Sequence, residues 1–256
     1  MIDRQALTDV ADASGREGSV LEIGPGLGFL TRELLERSTR VVAVEKDRVL
    51  AEYLRRTYGA RPFELIEADV LELSPAALAD PPARVAGNIP YGITSPILEW
   101  LVRHRRTFRR AALTVQWEVA ERLSARPDSR DWAPLTIFVQ MHADIAIVRK
   151  VPKSSFYPAP EVDSAVITLT MLDRTRVDTG DEGHFFRIVR AAFQQRRKTL
   201  LNGLKNAVPG LDRRVWGDQL EACGIDARRR PETLSLEEWG ALSRRTTLLA
   251  GGPGRC

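Results

Sequence analysis

Two short stretches hold residue types that could do chemistry. The first is Asn88-Ile89-Pro90-Tyr91, which follows the apolar run Arg84-Val85-Ala86-Gly87. An exocyclic amine on a purine has its lone pair drawn into the ring. A catalyst that alkylates it must therefore hold the N–H groups with fixed acceptors and stack the ring. An Asn amide oxygen, backbone carbonyls beside a proline and an aromatic face supply those parts. The same four residues also fit a strand-end turn in which Asn and Pro only set backbone angles. The second stretch runs from Ser155-Phe156-Tyr157-Pro158 through Ala159-Pro160-Glu161-Val162-Asp163-Ser164. Prolines at alternate positions stiffen the loop and present Phe156 for stacking on a base lifted from its helix, although a hydrophobic plug that ends a strand is the plainer reading.

Upstream lies Leu21-Glu22-Ile23-Gly24-Pro25-Gly26-Leu27-Gly28. Between a strand and a helix, glycines let the backbone approach a ligand while the helix N-terminus offers free N–H groups. A nucleotide-like cofactor is expected there. Glu45, followed by Lys46, ends the next strand about 20 residues on, where a carboxylate accepts both ribose hydroxyls. Asp69, followed by Val70, is positioned after the third strand to accept from an adenine amino group. Gly-x-Gly-x-Gly spacing, a proline in the turn and Glu22 two residues before the first glycine separate this set from dinucleotide folds. The set resembles S-adenosylmethionine-dependent methyltransferases of the Rossmann-like class.

These residues need a frame. Apolar runs at 19–23, 40–44, 63–66, 84–87 and 111–115 read as strands, with helices over 29–36, 48–58, 96–102 and 118–125 between them. Thr94 or Ser95 is expected to cap the third of these helices. Residues 136–148 and 165–170, rich in β-branched side chains, are expected to complete a doubly wound α/β sheet as an antiparallel pair. A polar link over 172–183 leads to a wholly helical pattern at 185–193, 199–206, 213–223 and 235–242. The expected organisation is a Rossmann-like class I methyltransferase sheet over 1–172, a small C-terminal all-helical domain over 173–250 and a flexible tail over 251–256.

The 256 residues carry a net charge of +4, unevenly spread. Residues 174–256 hold 16 Lys+Arg against 10 Asp+Glu, whereas residues 1–173 hold 22 against 24. Arg196-Arg197-Lys198 and Arg228-Arg229-Arg230 stand out in the basic part as phosphate ligands for RNA. They also fit solvated helix faces in an arginine-rich composition. The two cysteines, Cys223 and Cys256, have no paired spacing and no nearby histidine cluster, so neither a disulfide framework nor a metal site is expected. No apolar run approaches a membrane span and the first residues lack a signal pattern, so a cytoplasmic monomer is expected.

Taken over nearly the whole chain, the sequence resembles the ribosomal RNA adenine N6,N6-dimethyltransferases, which include a small-subunit (KsgA-type) and a macrolide-resistance (Erm-type) branch. The resemblance rests on Glu22 to Gly28, Asn88 to Tyr91, Gln116-Trp117-Glu118-Val119-Ala120-Glu121-Arg122, Phe156 to Ser164 and Arg196-Arg197-Lys198-Thr199-Leu200. The ending Arg230-Pro231-Glu232-Thr233-Leu234-Ser235 is similar to the small-subunit branch. The resemblance implies an enzyme that dimethylates adenine N6 in ribosomal RNA with S-adenosylmethionine, with small-subunit RNA as the expected target during ribosome assembly. Asn88 and carbonyls near Ile89 and Pro90 would accept from N6, and Tyr91 and Phe156 would sandwich the base. An Erm-type target in large-subunit RNA, a small-molecule methylase and a non-catalytic nucleic-acid binder are the competing readings. Gly92 stands where the family often has Asn, and Trp117 where a basic residue is common. Family members usually carry an upstream Gly-Gln-x-Phe-Leu segment that helps cover the cofactor, whereas this sequence begins in what reads as the following helix. The fold is expected to be independent of that segment, and cofactor affinity and turnover to depend on it.

Overall fold

The computed structural model describes residues 3–78 and 80–250; the tail expected to be flexible, 251–256, lies outside the described residues. Near-continuous aliphatic runs form strands buried along almost their whole length, as in parallel sheets covered by helices. They are β1 (Ser19–Ile23), β2 (Arg40–Glu45), β4 (Arg84–Asn88) and β5 (Arg110–Gln116), with the more exposed β3 (Phe63–Glu67) beside β2. Helix α1 (Arg4–Ser14) is started by the Asp3 carboxylate, which accepts from the Ala6 N–H at 3.0 Å. Helix α2 (Phe29–Leu35) follows the glycine turn. Asp47 caps α3 (Arg48–Tyr58) through the Val49 and Leu50 N–H groups at 2.8 and 3.0 Å.

The sheet order is β3-β2-β1-β4-β5-β7-β6. The first five strands are parallel, and β7 (Ser164–Met171) joins β5 and β6 (Ala143–Val151) in antiparallel pairs. Strand order reverses between β1 and β4, so the carboxyl ends of those two strands open the crevice where an α/β sheet binds ligands. Ala6, Leu7, Val10 and Ala11 of α1 and Leu30, Leu34 and Leu35 of α2 bury one shared core with Val20, Val41, Ala86, Ala112 and Val166 of the sheet.

Gly28 shows how tightly that end is built. Its φ is +78°, and an added Cβ would lie 2.6 Å from the Tyr58 ring and 3.0 Å from Leu54. Tyr58 also donates its hydroxyl to the Gly28 carbonyl at 2.8 Å. Gly28→Ala is expected to destabilise the fold by about 1–3 kcal/mol, read as earlier thermal unfolding; an unchanged melting curve would contradict this packing.

Two expectations change. Residues 136–148 are not one strand: α6 (Pro134–His142) precedes β6. Proline suits a first helical turn, and burial of Ile137 and Met141, four residues apart, outweighs the β preference of Thr136, Ile137 and Val139. Helix α4 (Thr94–Arg103) begins at Thr94 itself, and the cap position, Ile93, makes no side-chain bond. The Thr94 hydroxyl instead donates to the Tyr91 carbonyl at 3.3 Å.

The chain forms two compact units, residues 1–121 with 142–173, and 122–141 with 174–256. The boundary expected at 172/173 therefore misses an excursion: Arg122–Met141, assigned from sequence to the sheet domain, belongs with the helices. The cause is a separate core in which Trp132, Ile137 and Met141 are buried with Phe185, Phe186, Trp216 and Trp239. The Trp132 indole N–H donates to the Leu234 carbonyl at 3.0 Å. Besides the end of α5 (Trp117–Leu123) and most of α6, this unit contains α7 (Glu182–Gln194), α8 (Leu200–Leu204), α9 (Arg213–Ala222) and α10 (Leu236–Ala250). No helix among the described residues is long and apolar enough to cross a membrane.

Candidate active site

The carboxyl ends of β1, β2 and β4 gather the residues singled out from sequence. After β1 the chain turns at Gly24 and Gly26, with φ of +62° and +58°, and neither glycine has any atom within 4 Å of an added Cβ. The turn is a bare backbone ledge. Glu45 anchors it: one carboxylate oxygen accepts from the Gly26 N–H at 3.1 Å and the other from the Asp47 N–H at 2.9 Å. Asp69 accepts from the Leu71 N–H at 3.0 Å and from the Lys46 ammonium at 2.8 Å. Lys46 lowers the Asp69 carboxyl below its ordinary value, and Asp69 raises Lys46 in turn. The ammonium is 77% exposed, so this pair is weak and yields readily to a ligand. Val70 is buried directly after it.

Glu22 is different. It is 1% exposed, it lies at the end of β1, and its Oε2 has no hydrogen-bond partner. Burial pushes its carboxyl up to about 8, helped by the Glu45 charge. The nearby Thr31 hydroxyl favours the anion, yet it stops short of hydrogen-bonding geometry on Oε2. A buried, unpartnered acidic oxygen beside bare glycine backbone fits a ligand carrying both a cationic group and hydrogen-bond acceptors.

Two cavities meet at Asn88. One, of about 170 Å³, is lined by Glu22, Gly24, Gly26, Leu27, Phe29 and Asn88, with Leu7 and Tyr157 also on its wall. The other, of about 230 Å³, is lined by Asn88, Ile89, Pro90, Tyr91, Phe156, Pro158 and Pro160. Asn88 ends β4, opposite Thr114 of β5, and the Ile89 N–H donates to the Thr114 carbonyl at 3.3 Å. The Tyr91 hydroxyl is 2.6 Å from the Ser164 hydroxyl, which fixes the ring from the start of β7. The Phe156 loop is held at both ends. Ser155 donates to the Asp3 carboxylate at 2.9 Å, and Asp163 accepts from the Lys153 N–H at 3.0 Å. The structure thus brings Asn88, Ile89, Pro90, Tyr91 and Phe156 around one cavity and Glu22, Gly24, Gly26 and Asn88 around the other. Glu45, Lys46, Asp69 and Val70 stand at the neighbouring strand ends and line neither.

The sequence matches the family described as Ribosomal RNA adenine dimethylase over residues 4–242. The chain belongs to that family. Among adenine dimethylase relatives, it is 41% identical to the ribosomal RNA small subunit methyltransferase A of Geobacter metallireducens, covering 98% of this chain and 94% of that protein. The protein of the same name from Moorella thermoacetica is also 41% identical, over 95% of this chain and 88% of its own. A dimethyladenosine transferase from Plasmodium falciparum superposes with a TM-score of 0.82 at 26% identity, over 95% of this chain and 96% of that one. The 23S rRNA methyltransferase ErmE gives 0.69 at 29% identity, over 95% and 97%.

Sequence reasoning missed three features of this adenine dimethylase site. Tyr157, given no role from sequence, lines the glycine-turn cavity. Ser164 secures Tyr91 across 73 residues, which no local pattern signals. Trp117, where a basic residue is common, has the Lys150 ammonium 4.7 Å from its ring centroid, so a cation stands there after all.

The six basic residues expected to meet RNA divide. Arg197, Lys198, Arg228 and Arg230 are exposed, Arg228 in a surface fork with Asp226 at 2.9 to 3.2 Å that yields readily to another anion. Arg196 instead donates to the Ser129 and Arg130 carbonyls, within its own unit. Arg229 forms a fork with Glu238 and donates to Thr233, holding the turn before α10. Their guanidiniums satisfy backbone and carboxylate acceptors, which corrects the expectation that they are free for phosphates. Arg229→Ala should therefore lower the melting temperature of the chain, whereas Arg197→Ala should leave it unchanged; equal melting of the two variants would contradict the division.

Proposed function

We propose that the chain dimethylates adenine N6 in small-subunit ribosomal RNA with S-adenosylmethionine as methyl donor. The observation that carries this reading is Asn88 as the wall common to both cavities, one with the features of a cofactor site and the other with those of a base clamp. The bound cofactor supplies an electrophilic methyl group on a sulfonium. Glu45 would accept from the ribose hydroxyls, Asp69 from the cofactor adenine, and the Gly24–Gly26 ledge would let the chain approach closely. Lys46 and Val70 flank that end of the site. Glu22 would face a cationic group.

In the second cavity the Asn88 amide oxygen and the carbonyls near Ile89 and Pro90 accept from the target N6 hydrogens. This favours a pyramidal nitrogen whose lone pair points at the methyl carbon. Tyr91, pinned by Ser164, and Phe156 enclose the ring. Methyl transfer there would form the C–N bond as the S–C bond breaks and would leave a cationic amine able to lose its proton to water, so the chain's own residues need supply no dedicated base. The second transfer repeats the step with fresh cofactor. In the helical unit Arg197, Lys198, Arg228 and Arg230 grip phosphates, a role supported by their exposure and charge.

Relatives at 41% identity named for the small subunit support that target over the large one. The deciding experiment supplies labelled S-adenosylmethionine with under-methylated small and large subunits separately and maps the modified adenines. Two methyl groups on N6 of small-subunit adenines are expected. Label confined to large-subunit RNA would overturn the proposal.

A further inference from the structure

The sheet unit is acidic as a whole, and its cations are concentrated in one place. Residues 1–121 and 142–173 contain 19 Lys+Arg and 22 Asp+Glu; five of the arginines fall within Arg103-His104-Arg105-Arg106-Thr107-Phe108-Arg109-Arg110. Outside that segment the balance is 14 against 22. Such a segment would be unremarkable on a mobile loop, but this one is rigidly mounted. Phe108 is fully buried, and Trp100, His104 and Phe108 form a ring cluster with Trp100 centroids 5.1 and 4.9 Å from its two partners. The His104 N–H donates to the Trp100 and Leu101 carbonyls, those of Thr107 and Phe108 to His104, and that of Arg109 to Ala83 at 2.7 Å. Burial and the neighbouring Arg103 charge lower His104 below its ordinary value.

These guanidiniums differ in what holds them, and Arg105 donates to the Val102 carbonyl at 3.2 Å. Arg103 has the exposed Glu99 at 3.3 Å, Arg109 pairs with Asp173, and Arg110 donates to the Ala13 carbonyl at 2.7 Å. Arg106 is exposed and has no hydrogen bond or ion pair among the described residues. The contrast is Arg84, in register with Arg110 on β4, whose guanidinium is consumed by the Gly15 and Gly18 carbonyls. A group of cations fixed on a stiff turn loses little freedom when it meets phosphates, so its contacts are favourable for their number.

We propose that the α4–β5 turn is a second RNA-binding surface of the sheet unit, which takes the sugar-phosphate backbone of an RNA segment other than the one that delivers the target adenine. Strand β5 separates the two places: Arg110 begins it and Gln116 ends it beside the clamp. Seven residues at about 3.3 Å each set them roughly 20 Å apart. The two places lie at opposite ends of that strand, and a folded ribosomal subunit offers several RNA segments to meet them. The inference rests on ribosomal RNA being the substrate.

The test compares the full chain with Arg106→Gln and with the double variant Arg103→Gln/Arg106→Gln, both altered at exposed positions. Binding to under-methylated small subunits is measured across a salt series. The double variant is expected to bind about tenfold more weakly near 0.1 M salt, and the slope of log affinity against log salt is expected to fall by about one for each arginine removed. Affinity for S-adenosylhomocysteine, thermal unfolding and methylation of a short stem-loop carrying the target adenines are expected to stay at the level of the unaltered chain. Unchanged subunit affinity and slope would overturn the inference. So would weaker subunit binding with an unchanged slope and unchanged affinity for protein-free ribosomal RNA, since the surface would then meet a protein. Binding is read whether or not label is transferred, so failure of the methylation reading and failure of the patch give different results.

Discussion

Asn88→Ala is expected to lower kcat/KM for methylation of small-subunit RNA by about 100- to 1000-fold, the loss typical of removing one fixed hydrogen-bonding group at a reacting centre. Affinity for S-adenosylhomocysteine should change by only a few-fold, because the glycine ledge and Glu45 remain. Glu45→Ala should do the reverse. Its carboxylate tethers the Gly26 N–H and would take the ribose, so cofactor affinity falls first and turnover at saturating cofactor falls less. Isothermal titration with the homocysteine product and single-turnover rates separate the two effects. Equal losses of affinity and rate from Asn88→Ala would remove the clamp assignment, since Asn88 would then act as one more wall of the cofactor cavity.

Glu22→Gln should stabilise the ligand-free protein in a pH-dependent way. In the folded chain burial holds a proton on Glu22 up to about pH 8, whereas the group in the unfolded chain loses it near its ordinary value of 4.5. Between those values the folded state binds more protons, so its stability falls as pH rises. The favourable contribution is complete below 4.5, and the penalty is complete above 8. At about 1.4 kcal/mol per pH unit the whole window is worth on the order of 5 kcal/mol. Glutamine keeps the shape without the charge, so the melting temperature of Glu22→Gln should exceed that of the unaltered chain at pH 8.5 and approach it at pH 5. The surroundings sharpen the expectation: Glu45 lies close enough to raise Glu22, and the hydroxyl of the half-buried Tyr58 on α3 is itself raised, first by burial and then by Glu22. Cofactor binding should show the same group from the other side. An acid that must give up its proton to meet a cation makes affinity rise towards pH 8, by up to about tenfold per unit. Parallel melting and binding curves for the two proteins across this range would remove Glu22 from the site.

Much of the candidate site was legible in the residues because its parts sit at strand ends, where a short continuous apolar run and a following glycine, proline or acidic residue mark the position locally. Glu22, Glu45, Asp69 and Asn88 were singled out this way; Glu22 and Asn88 line the cavities, Glu45 and Asp69 stand at neighbouring strand ends, and the family and the seven-stranded sheet agree with that frame. What escaped were decisions made by distant partners. Thr136, Ile137 and Val139 favour strands in isolation, yet Trp132 and Met141 draw their segment into a helical core. Arg228 and Arg229 are identical in sequence terms. Both find a carboxylate: Arg228 meets the exposed Asp226, two residues back, whereas Arg229 meets the half-buried Glu238, nine residues on, and Thr233 as well, so only Arg229 is locked into the fold. The α4–β5 arginines were overlooked because they sit in the acidic part of the chain, where the overall balance conceals a local excess.

The excursion of Arg122–Met141 into the helical unit has a practical consequence for anyone recombining members of this family. A chimera cut once near residue 173 would pair one parent's Trp132, Ile137 and Met141 with the other parent's α7 to α10, mixing two solutions to the same packing problem. Grafts that exchange 122–141 together with 174–250 keep each jigsaw whole. Specificity swaps made with a single crossover would test mismatched cores before they tested recognition.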